Sequence, residues 1–131
     1  MLRDDMQLIS VDDHVIEPSH VFVDHIDPRF RERAPRIVER DGAQGWLWED
    51  RFYELMFQGN AQTRKFRSDE GGHGADLYAR RYEDMIPAAY DVHERVRAMD
   101  DDGVLAELLF PTFPRFGGTR FLQAGATGLA L

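Results

Sequence analysis

The chain has 131 residues, a length that suits one domain. Hydrophobic residues make up 43% and charged residues 31%, which fits a packed core and excludes wholesale disorder. A formal net charge of −8, with Lys65 as the single lysine, excludes the clustered basic footprint of a nucleic-acid binder. The absence of cysteine excludes disulfides, iron–sulfur clusters and thiolate metal sites. No run of about 18 apolar residues is present, so no transmembrane helix is expected. The first residues lack the basic-then-apolar pattern of a secretory signal, and a cytoplasmic protein is the default expectation.

Residues 7–12 read as a first strand that runs into acids and a histidine: Leu8-Ile9-Ser10-Val11-Asp12-Asp13-His14-Val15-Ile16-Glu17-Pro18. Side chains two apart in a strand share a face. Uninterrupted alternation therefore puts Ile9, Val11 and Asp13 on one face, and Ser10, Asp12 and His14 on the other. If the strand continues that far, a carboxylate oxygen and an imidazole nitrogen project together from its C-terminal end. Such a pair suits a divalent ion: zinc, manganese or iron(II). The same residues also fit an ordinary polar turn with Glu17-Pro18 as its exit. Both readings stay open on these residues alone, and what gives the ligand reading weight is position, because parallel α/β folds bind and react at the carboxyl ends of their strands.

Ser19 to Phe22 is expected to start a single helical turn. Asp27 can cap a short helix with Pro28 at its first position, stopped by Pro35. Residues 36–55 then alternate and turn like a small antiparallel meander: a strand over Arg36–Arg40, a turn at Asp41–Gly45, a strand from Trp46, a turn near Asp50, and a third strand from Phe52. Trp46 and Trp48 either pack this meander on the main body or line a ligand mouth. Residues 58–76, rich in Gly, Asn, Gln, Ser and Asp, read as a flexible loop, and His73 within it reads as a solvated loop histidine or a ligand.

Leu77 to Met85 is expected to be helical, ending before Pro87. Asp91 opens a stronger helix, with Glu94 in the capping-box position and Val92, Val96 and Met99 along one apolar face. Gly103 supplies a left-handed end. The acids Asp100, Asp101 and Asp102 read as a solvated turn rather than a cation site. Val104 to Phe110 is a second strand, apolar enough to be a parallel strand covered on both faces, and Glu107 within it needs a partner if buried. The loop Thr112-Phe113-Pro114-Arg115-Phe116-Gly117-Gly118-Thr119 has the composition of a substrate-contacting loop, or of an Arg-capped surface turn.

Three blocks together resemble the amidohydrolase superfamily, in its amidohydrolase 2 branch with aminocarboxymuconate semialdehyde decarboxylase. They are Ile9 to Pro18, Tyr90 to Arg95 leading into Met99-Asp100-Asp101-Asp102-Gly103-Val104, and the strand into Leu109-Phe110-Pro111-Thr112. The resemblance implies a (β/α)8 TIM barrel with one divalent metal, usually zinc. It implies hydrolysis of C–N or C–O bonds, or decarboxylation of a carboxylic acid, on a small-molecule substrate. Carried over by position, Asp12 and His14 are the first-strand metal ligands. Glu17, Thr112 and Arg115 are candidates for substrate binding. The family's proton-transfer aspartate and its remaining ligands have no counterpart in these residues. A full barrel needs about 250 residues. The expectation is therefore an α/β chain with the first two barrel strands of a partial barrel, an inserted meander over 36–55, and a truncation near residue 123 that leaves it inactive alone. The competing expectation is a self-contained small α+β binding domain without catalysis. Unpaired strand edges would also favour a homo-oligomer.

Overall fold

Two separate sheets organise the chain. The computed structural model describes residues 6–55 and 78–123. Within them β1 (Leu8–Val15) pairs in parallel with β5 (Val104–Pro111). An antiparallel meander is formed by β2 (Arg36–Arg40), β3 (Ala43–Trp48) and β4 (Arg51–Glu54). The helices are α1 (Val21–His25), α2 (Val92–Asp102) and α3 (Thr119–Gln123). The architecture is α/β, with a parallel pair and an antiparallel triple in that division of strands. The expected loop over 58–76, His73 and the tail beyond 123 lie outside the described residues.

The β1–β5 ladder is irregular where the polar residues begin. Ser10 stands opposite Glu107 and Asp13 opposite Leu109, so three positions of β1 match two of β5. One residue of β1 is extra, which is a β-bulge. Glu107 and Leu109 are two apart and share a face, so Ser10 and Asp13 share it too. This corrects the uninterrupted alternation expected from sequence, which grouped Ser10 with Asp12 and His14. Past the bulge the pairing is regular, with His14 opposite Phe110 and Val15 opposite Pro111. His14 falls on the face opposite Asp13, while Asp12 lies within the bulge itself.

The meander closes through two tight turns. Asp41 and Gly42 have φ of 50° and 72°, and Glu49 and Asp50 have 49° and 61°. Left-handed backbone at both central residues is the type I′ arrangement that matches strand twist. Because the first turn needs only these two residues, Ala43, Gln44 and Gly45 join β3 instead of extending the turn. A Cβ on Gly45 would stand 2.6 Å from the Phe52 ring and 2.6 Å from the Tyr53 carbonyl oxygen, so the close strand approach there requires glycine.

Residues 78–85 correct the expected helix. They hold a 3-10 turn at Tyr82–Asp84 and isolated β-bridge residues at Tyr78 and Met85, with no α-helix. The Gln44 N–H donates to the Arg80 carbonyl at 2.7 Å, and the Tyr82 N–H donates to Gln44 Oε1 at 2.9 Å. The meander thus takes the main-chain groups that a helix would have used internally.

The Asp91 carboxylate caps α2 as expected, accepting from the N–H groups of His93 and Glu94 at 2.9 and 3.0 Å. Gly103, with φ 70°, ends the helix. The reciprocal half of the capping box is replaced. The Asp91 N–H donates to the Pro87 carbonyl, and the Glu94 carboxylate pairs with Arg97. The expected apolar face is also rotated: Val92 is 67% exposed and Val96 49%. Glu94, Arg95, Ala98 and Met99 are the partly buried residues of the helix, and Arg95 reaches down to Glu107 on β5.

The core lies at the C-terminal ends of the parallel strands, not on them. Ile16, Trp46, Trp48, Leu55, Ala79, Tyr82, Met85 and Phe113 form it, so both tryptophans pack the meander onto the strand ends. No residue of β1 or β5 is itself buried, and Leu105 is 57% exposed, against the expectation of a strand covered on both faces. Short aromatic contacts knit the core, with Trp46 and Phe113 ring centroids 5.1 Å apart.

Overpacking tests the strand contact at Gly45. Gly45→Ala should lower the unfolding free energy by about 1–3 kcal/mol in a urea titration, through forced displacement of Phe52. A wild-type midpoint in that variant would contradict the packing described.

Candidate functional site

The C-terminal ends of β1 and β5 gather most of the residues singled out from sequence. Asp12 and His14 are solvent-exposed. The His14 ring lies 5.9 Å from that of Phe110, its partner across the ladder. Both residues border a cleft of about 430 Å³ along β1 that also takes in Asp13, Arg95 and Glu107. Asp13 has one buried carboxylate oxygen, Oδ2, without a hydrogen-bond partner. Sequence reasoning passed over Asp13 because alternation assigned it to the apolar face with Ile9 and Val11.

Asp12 and His14 supply one hard oxygen donor and one imidazole nitrogen, a pair chemically suited to a divalent metal. A zinc site takes three or four protein ligands. Among the described residues, no group of three or more His, Asp or Glu side chains is arranged to hold an ion. The described residues therefore do not by themselves fit a complete metal site.

Glu17 and Thr112 meet one step further along. The Glu17 carboxylate is 8% exposed and grips the start of the loop after β5. Glu17 Oε1 accepts from the Thr112 N–H at 2.8 Å, and Oε2 accepts from the Phe113 N–H at 3.0 Å. The Thr112 hydroxyl donates to the Val15 carbonyl at 2.7 Å, and the Tyr82 hydroxyl donates to the Glu17 carbonyl at 2.7 Å. The polar atoms of both candidates are thus engaged with main chain. Burial raises the Glu17 pKa above 4.5, against the lowering effect of the two amides and of the Arg120 charge. Burial likewise raises the Tyr82 phenol, with the Glu17 charge adding to it.

Arg120 closes the cluster from α3. Its Nε donates to the Phe113 carbonyl, and its guanidinium lies 4.3 Å from the Tyr53 ring centroid and 4.8 Å from that of Phe113. Cation–π contact and partial burial hold this charge close to Glu17. Burial, and then the neighbouring Arg115 charge, lower the Arg120 pKa. Arg115 itself is exposed. Its backbone, at φ 61° and ψ 177°, sits in a region that glycine occupies almost alone. Nothing in the sequence marked Tyr82 or Arg120 as parts of this cluster.

The arrangement is that of an α/β unit with its polar groups at the carboxyl ends of parallel strands. Comparison with known proteins adds a likeness of fold. No family model and no curated protein matches the chain. Among solved structures, an amidohydrolase from Mycobacterium avium subsp. paratuberculosis K-10 superposes with a TM-score of 0.55 and 20% sequence identity. The alignment covers 83% of this chain, and the chain spans 31% of the length of that structure. At this identity the likeness is one of fold.

Glu17 makes the stability depend on pH in a particular direction. Its proton is held more tightly in the folded chain than in the unfolded one. Above pH 4.5 the unfolded chain has therefore released a proton that the folded chain retains, and stability falls as pH rises toward the raised folded value. Asp27, bonded to Arg29, and Asp91, bonded to the Glu94 amide, are lowered from 3.8 and act at lower pH with the opposite sign. The urea midpoint should fall as pH is raised above 4.5, and Glu17→Gln should remove that fall. An unchanged pH slope in the variant would contradict this assignment.

Proposed function

We propose that this chain forms the N-terminal part of an amidohydrolase-like, metal-dependent hydrolase. In this reading β1 and β5 are the first two strands of a partial (β/α)8 barrel, and the meander is an insertion between them. Asp12 and His14 are two donors to a divalent ion, zinc first and manganese or iron as alternatives. The remaining donors come from groups outside the described residues. The observation that carries the reading is the placement of Asp12 and His14: exposed, two residues apart, at the C-terminal end of a strand in a parallel pair. Two further observations support it. Parallel strands are ordinarily covered on both faces, and here Ile9 and Val11 on β1 and Leu105 and Leu108 on β5 stay exposed. The fold also resembles part of a solved amidohydrolase.

The reaction class is hydrolysis of a C–N or C–O bond in a small molecule. Decarboxylation of a carboxylic acid is the finer alternative suggested by the amidohydrolase 2 resemblance. Glu17 and Thr112 shape the mouth of the site through the main chain they hold, and Arg115 is the exposed cation beside it. With two donors among the described residues, these residues by themselves are expected to lack turnover.

A second reading, a self-contained α+β binding domain, draws on the core that the meander and the strand ends build between them. Zinc titration separates the two. Zinc should shift the His14 imidazole signals in an NMR titration. His14→Ala should abolish that site, and Asp12→Ala should weaken it by about tenfold, about 1.4 kcal/mol. Cooperative unfolding with His14 untouched by zinc would overturn the metal reading and favour the binding domain.

A further inference from the structure

The guanidinium of Arg95, on α2, spans the bulge in β1. Its Nη1 pairs with Glu107 Oε2 at 3.3 Å, and its Nη2 donates to the His14 carbonyl at 2.6 Å. Glu107 stands opposite Ser10, before the bulge, whereas His14 lies after it. One rigid fork therefore ties the ladder on one side of the extra residue to the main chain on the other. We infer that Arg95 is a positioning residue: by holding the His14 carbonyl from the α2 side, steadied by Glu107, it sets where the His14 imidazole stands on the opposite face. This rests on the reading of His14 as a functional side chain.

Three observations carry the inference. A bulge leaves the ladder locally disrupted, so β1–β5 pairing does not by itself fix the strand end. The main chain that follows is held at each residue: the Val15 carbonyl by Thr112, the Ile16 N–H by the Ala89 carbonyl at 2.9 Å, and the Glu17 carbonyl by Tyr82. Arg95 extends this series back to His14. Lastly, the side chains of Arg95 and Glu107 are 18% and 11% exposed. A pair buried to this degree costs desolvation, and apolar side chains would dock a helix at least as well. Helix docking alone does not account for a charged fork at this point, while its planar, two-ended geometry does suit fixing a carbonyl relative to a strand.

The test is read in the full chain without metal, from the three-bond couplings of the His14 side chain. The wild type should show one χ1 rotamer. The double variant Arg95→Met/Glu107→Leu keeps the volume of the pair and removes its charge. It should retain the fold, with His20, His25 and His93 signals in place, yet lose the single-rotamer couplings of His14. Arg95→Lys, which keeps a cation for Glu107 but lacks the fork, should lose them as well and serves if the double variant does not fold. A folded variant with wild-type His14 couplings would reduce Arg95 to a helix dock and overturn the inference, as would rotamer averaging in the wild type. Zinc enters none of these measurements, so failure of the metal reading and failure of this inference are seen separately.

Discussion

The carboxylate of Glu17 is the contact on which the described structure depends. It stands just past the end of β1 and accepts the first two main-chain N–H groups beyond β5. Hydrogen bonds to a charged group contribute about 1.5–3 kcal/mol each, and a buried carboxylate without them is strongly unfavourable. The grip fixes Phe113, whose ring packs against Trp46, Tyr53, Phe22 and Phe121. One acidic side chain thereby joins the parallel pair, the meander and α3. The requirement also explains the company Glu17 keeps: Arg120 supplies a nearby positive charge, and Tyr82 occupies the carbonyl of the same residue.

Local signals in the sequence were readable, and long-range ones were not. The caps of Asp27, Asp91 and Gly103 act within a few residues of themselves, and each is found where the chain chemistry puts it. The meander follows from alternation and two turns, also local. The bulge in β1 is different. Leu8 to Val15 contains no glycine or other mark of an extra residue, because the mismatch is defined by the partner strand about 95 positions away. The segment 78–85 departs from its helical pattern for the same reason, since its main-chain groups are claimed by Gln44, 38 residues before Tyr82. The candidate site was half legible. Asp12 and His14 could be chosen from their spacing near a strand end. The parts played by Arg95 and Tyr82 arise from contacts spanning 81 and 65 residues, which no local pattern encodes.

The distribution of burial sets the functional reading apart from the stability of the fold. Apolar burial is concentrated where the meander meets the strand ends, while Leu105 and Leu108 on β5 stay exposed. The strand ends are thus the most constrained part of the described chain, and the strand faces the least. Chemistry that needs accurately placed side chains belongs on a rigid support. On the proposed reading, the chain supplies a lip bearing two donors and leaves the outer edges of its parallel pair for additional strands.

Native-state hydrogen exchange is the most direct measurement of the claim that Glu17 holds these segments as one unit. The amides of Ile16, Tyr82, Thr112 and Phe113 should exchange with a common opening free energy, although they lie far apart in sequence. Glu17→Ala should reduce the protection of all four together. Independent exchange of the Thr112 and Phe113 amides at loop-like rates, with Ile16 and Tyr82 still protected, would contradict the account.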